Sequence, residues 1–183
     1  MATLDSRHSP SFDRAAPVIH QGGRFTTGLG PGLYGGLMMA FTLGVLALAR
    51  AEPVFRPFWV VASMFIGPRA MEGGVGPTIF GLVIHFAMSG ILGMIFTRIF
   101  GRTTMRRMLA FGFFYGIVLW LIAQAVLIPL LNPAIAARLG TIWPFFLGHL
   151  AYGLALASAV PTVRDIDAPD HAFIDPAHRE VRP

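Results

Sequence analysis

Apolar residues along this chain do not alternate with polar ones. They gather into four long blocks, near residues 31–49, 78–96, 108–131 and 141–160, separated by short polar or proline-rich breaks. Each block holds about the 20 residues that a helix needs to cross the hydrocarbon of a bilayer. Within the blocks the small and polar residues fall at four-residue spacing. Gly32, Gly36, Ala40 and Gly44 form one stripe, Gly81, His85, Ser89, Gly93 and Thr97 a second, Gly112, Gly116, Trp120 and Gln124 a third, and His149, Gly153 and Ala157 a fourth. Residues i and i+4 share a helix face. The pattern therefore predicts an all-α, integral membrane four-helix bundle, built from two repeated helical hairpins, with the stripes turned inward.

Small residues let helix backbones approach where lipid supplies no hydrophobic drive. Gly32, Gly36, Gly44, Gly81, Gly93, Gly112, Gly116 and Gly153 are accordingly read as helix-packing positions. His85, Ser89, Gln124 and His149 form a candidate intramembrane polar layer. His85 lies seven residues into the second block and His149 eight into the fourth, so both sit roughly 10–12 Å inside the same boundary.

The first long connection differs from an ordinary loop. Its apolar run, 57–68, is bracketed by prolines and is too short to span. Phe58 and Trp59 suit a headgroup level, which predicts a short interfacial segment between spans one and two. A re-entrant element is the alternative, since irregular backbone is tolerated where protein shields it. Glu52 and Glu72, which flank the run, are expected in water.

Composition strengthens the membrane reading: 55% of residues are hydrophobic and 13% charged, against about 25% charged in soluble domains. The 14 basic residues are all arginine, and ten of them lie in residues 1–30, in the connection between spans two and three, or beyond residue 160. The positive-inside rule puts those segments, both termini included, in the cytoplasm, and the expected location is the bacterial cytoplasmic (inner) membrane. Residues 1–30 read as a disordered cytoplasmic tail, 31–161 as the four-span domain and 162–183 as a solvated cytoplasmic tail. Arg102, Arg106 and Arg107 are candidates for anionic lipid contact, although the favoured reading is that they only fix orientation. The arginines form no basic face interleaved with aromatics, so no nucleic-acid partner is expected.

Cysteine is absent, which excludes thiolate metal sites and disulfides. Lysine is absent too, which excludes Schiff-base chemistry. No serine–histidine–aspartate set, H-E-x-x-H, phosphate loop or dinucleotide fingerprint occurs, so no enzymatic activity is expected. The second half, from residue 84 to 165, carries His85 with Ser89, the Gly112–Gly116 pair, Pro129 and the Gly148–His149–Leu150 triplet before a final apolar helix. In these features it resembles the YagU-like bacterial inner-membrane proteins. The resemblance implies a membrane topology and no particular activity.

The histidines admit several readings. One ligand from each of two facing helices at equal depth suits a b-type haem, with Gly81, Ser89 and Gly153 leaving room for the macrocycle and Arg69 or Arg138 near its propionates. A zinc site lacks the further ligands it needs. A proton or small-molecule conduit would use their titration near neutral pH, but no intramembrane carboxylate accompanies them. The remaining reading has both neutral and hydrogen-bonded across helix interfaces, His85 to Gln124 or Tyr152 and His149 to Thr42 or a backbone carbonyl. No metal is assigned, and the acidic, histidine-containing tail reads as solvated chain. The leading expectation is a non-catalytic accessory or structural subunit of a larger respiratory, photosynthetic or transport complex, with membrane lipid and other membrane subunits as partners.

Overall fold

The structure, a computed structural model, describes residues 27–101, 103–133 and 143–160. Residues 1–26 and 161–183, and with them nearly all of the disordered and solvated segments expected there, lie outside the described residues, while α1 begins at Leu29, inside the expected N-terminal tail. Arg102 and Arg138 also lie outside the described residues.

Helix α1 is Leu29–Ala49, α2 Arg56–Ile66, α3 Val75–Phe100, α4 Met105–Leu131 and α5 Trp143–Ala159, and a 3-10 turn, Pro68–Glu72, leads from α2 towards α3. The fold is all-α, with no strand among the described residues. Helices α1, α3 and α4, of 21, 26 and 27 residues, are long and apolar enough to cross a membrane. Helix α5 has 17 residues, or about 25 Å of rise. The chain is thus a multi-pass membrane protein with three candidate spans.

The helices form an arc in the order α3, α1, α5, α4 instead of the closed square expected of a four-helix bundle. Helices α3 and α4 meet at the end where residues 101–104 join them, through ring contacts of Phe96 with Tyr115 and of Phe100 with Phe111, at 5.1 and 4.6 Å. Beside these rings Phe96, Met108, Leu156 and Ala157 are wholly buried. Towards the other end α3 and α4 separate.

Helix α2 packs along the start of α3. Pro57 at its first turn suits a helix start, where the missing N–H costs nothing. Gly67, at φ +87°, ends it. Residues 57–66 of the apolar run are therefore one continuous helix. Phe58 is buried, its backbone seated on Gly81. Trp59 donates its Nε1–H to Thr78 Oγ1 at 2.7 Å. The Asn132 side chain, just past the end of α4, donates to the Ser63 carbonyl at 3.0 Å, so α2 bridges the gap where α3 and α4 part.

The large apolar side chains face outward: Phe41 is 66% exposed and Val83 60%, as helices standing in lipid require. What is buried on α1 is mostly glycine, at positions 32, 35, 36 and 44. Within α4, residues Ala123–Leu127 form a π turn. Pro129 lacks an N–H and its ring crowds the preceding turn, and widening the helix by one residue just before it relieves both demands.

Candidate functional site

The expected packing glycines bring backbones together at two crossings. Gly32 lies against the backbone of Ser89, Gly90 and Gly93 in α3, and Gly36 against the Ser89 side chain. Gly112 lies against Gly153 in α5, and Gly116 against the His149 backbone. Two of the eight glycines do something else. Gly81 receives α2 and no other long helix, and Gly44 faces Val54 at ordinary contact distance. In both crossings a Cβ would fall on neighbouring backbone, so only glycine permits the approach.

Of the four residues in the expected polar layer, the structure links two, His85 and Ser89, by hydrogen bonding. His85 is buried on α3, its ring edge-on to Phe58 and Phe86 at 5.5 and 5.2 Å. Its Nε2 lies 3.0 Å from the Gly36 carbonyl oxygen of α1. A carbonyl only accepts, so Nε2 carries the proton and the ring bonds α3 to α1. Ser89, one turn along, donates to the His85 carbonyl at 2.7 Å. The Ser89 carbonyl in turn accepts from Tyr152 Oη of α5 at 2.7 Å. His149 is half-buried and donates from Nδ1 to the Phe145 carbonyl of its own helix at 2.7 Å. Neither ring takes a side-chain partner expected for it. Gln124 and Tyr152 do not reach His85, and Thr42 donates to Met38 within α1.

Gln124 stands apart. Its Nε2 and the Trp120 Nε1, one turn before it, are fully desolvated with no hydrogen-bond partner, as is Thr97 Oγ1 on α3. Trp120 is held edge-on against Phe146 at 5.1 Å. Buried polar atoms without partners are rare in native structures, and two of these three sit on one face of α4.

The residue that sequence reasoning underused is Tyr152. It is 2% exposed, its ring lies over Gly35, and its hydroxyl ties α5 to α3 across α1. The available signal was its position four residues after Gly148 on a second small-residue face. Tyr115, donating to the Leu92 carbonyl at 2.9 Å, makes the equivalent tie from α4 to α3.

The cofactor reading meets a steric obstacle. The room reserved for a macrocycle beside Gly81, Ser89 and Gly153 is filled by the backbones of Phe58, Gly36 and Gly112. His85 Nε2 is also committed to a carbonyl. Arg69 is exposed on the 3-10 turn. No group of three or more potential metal ligands occurs among the described residues. A conduit fares no better, because below the layer the buried Phe96, Met108 and Leu156 interpose apolar volume. Ser158 is exposed and bonded to its own helix.

Arg98 lies in the last turn of α3, where a cation complements the helix dipole. Arg106 and Arg107 open α4, where a cation opposes the dipole. Both are exposed. Comparison with protein-family models, with curated proteins and with solved structures found no match.

Proposed function

We propose that this protein is a non-catalytic structural subunit of a larger assembly in a bacterial cytoplasmic membrane, and that α4 is the helix through which it joins that assembly. In this reading α5 is a fourth span, the chain is two repeated hairpins, and both termini are cytoplasmic. The observation that carries the reading is the unequal cover of the spans. In α1 and α3, 33% of the apolar window is buried within the protein; in α4 the figure is 11%. Lipid alone would serve an apolar helix, but α4 also holds the partnerless Trp120 and Gln124 and the π turn. The polar layer supports a structural role, because His85 Nε2 on the Gly36 carbonyl and Tyr152 Oη on the Ser89 carbonyl join helices, while Ser89 and His149 donate within their own helices.

A photo-crosslinking side chain at Phe114 or Val118 of α4, 63% and 48% exposed, is compared with one at Val83 of α3, 60% exposed. The expected result in native membranes is a protein adduct from α4 and lipid adducts alone from Val83. Lipid adducts alone from all three positions overturn the proposal.

A further inference from the structure

Helix α1 ends in a tight reversal. Ala51 takes φ +54°, and the Ala51 and Glu52 amides bond back to Leu48 and Ala47. The turn gathers three charges at the end of the molecule opposite Arg98, Arg106 and Arg107. Arg50 Nη2 lies 3.1 Å from Glu52 Oε1, and Arg56 Nη1 contacts the same oxygen. These charges rim a cavity of about 40 Å3, whose apolar floor includes Leu43, Val60 and Phe145.

Two guanidiniums against one carboxylate leave a net charge of +1. Both arginines reach Glu52 through a single oxygen, and a guanidinium carries five N–H donors, so donors remain for another anion. Arg50 and Arg56 are 30% and 35% exposed, desolvated enough to favour a bound anion yet open to one. The cavity is small. It fits the oxygens of a tetrahedral oxyanion whose remainder stays outside. The guanidinium fork matches phosphate geometry, and a site at the end of an apolar span lies where lipid phosphates lie.

We infer that Arg50 and Arg56 form a phosphate-binding site over this cavity, with Glu52 as a built-in competitor for the same two arginines. The phosphate is that of an anionic phospholipid or a free phosphate, and the test separates them. The full chain in phosphatidylcholine nanodiscs is compared with the chain in discs containing phosphatidylglycerol, and with phosphatidylcholine discs titrated with inorganic phosphate. Retention of phosphatidylglycerol is read by native mass spectrometry, and free-phosphate binding by the shift in unfolding temperature. Arg50→Gln/Arg56→Gln is expected to lose ligand on the order of tenfold, the equivalent of one charge-assisted bond. Glu52→Gln is expected to gain by removing the competitor. Arg106→Gln/Arg107→Gln, at the other end, should leave this difference unchanged. Dependence on phosphatidylglycerol alone assigns the site to lipid, and an equal response to inorganic phosphate assigns it to the free anion. If Glu52→Gln gains neither ligand, the site is refuted, even where the double arginine variant does not fold.

Discussion

In α1 and α3 the backbones meet where Gly32 and Gly36 face Gly93 and Ser89; in α4 and α5 they meet where Gly112 and Gly116 face Gly153 and His149. The contacts are alike, but the surroundings are not. The first hairpin is completed by α2, whose Phe58 fills the space at Gly81 and caps the His85 ring. The second has no such partner among the described residues, and α4 carries two buried donors with nothing to bond. The crossings also place His149 opposite Gly116 as Ser89 stands opposite Gly36, so His85 lies one turn before the residue that matches His149. Two hairpins with one packing device therefore need not carry one chemistry.

The largest expected effect tests whether the crossings are alike. Gly93→Ala places a methyl on the backbone of Gly28 and Gly32, and Gly153→Ala places one on that of Gly112 and Gly116. Each should cost about 1–3 kcal/mol, the usual range for overpacking a tight interface, in unfolding titrations in mixed micelles. A cost confined to one hairpin would break the comparison.

Next come the histidines, which separate the hairpins. His85→Leu removes a bond between helices and should cost about 0.6–1.7 kcal/mol, whereas His149→Leu removes a bond within α5 and should cost roughly half that or less. Equal costs would mean that His149 also holds helices together. Gln124→Leu works in the opposite direction. Its donor is desolvated and unpaired, so removing it should stabilise the isolated protein by about 1 kcal/mol. A loss of stability would show that the amide has a partner in the membrane.

Much of this could be read from residue order. Block hydropathy marks the long helices, since a bilayer imposes a length that composition must honour, and the four-residue glycine spacing marks both crossings. The helices run a few residues beyond the apolar blocks, to Val75 and Phe100 in α3, because backbone bonding continues where hydropathy has already fallen. The partners of His85 and His149 were not legible: every residue offers a carbonyl, and only the packed backbone decides which one a ring reaches. The placement of α2 was likewise hidden, because a proline-bracketed apolar run looks the same beside lipid as against Gly81. Pro129 announces a disturbed helix, but not that a π turn will absorb the disturbance. The arc of helices, open between α3 and α4, follows from which stripes meet, and each stripe by itself is compatible with several neighbours.

The smallest effect lies in the turn that joins α1 to α2, a feature of the first hairpin alone. Partial burial works to raise the Glu52 pKa, but the hydrogen bond and charge of Arg56, then those of Arg50, outweigh it and hold the carboxyl below its ordinary value of 4.5. A lowered pKa in the folded state means that the unfolded chain binds the proton more readily as pH falls. The contribution of Glu52 is then complete above its ordinary range and is lost as pH drops through the folded value. Between about pH 6 and 8 this group should contribute no slope. Below about pH 5 the wild-type unfolding midpoint should fall more steeply than that of Glu52→Gln, in which the titrating group is gone. The difference between the two curves isolates Glu52 from the other carboxylates. If the curves run parallel down to about pH 3, the two arginines do not hold the carboxylate in solution as they do in the structure, and the turn is ordered by its backbone bonds to Ala47 and Leu48 alone.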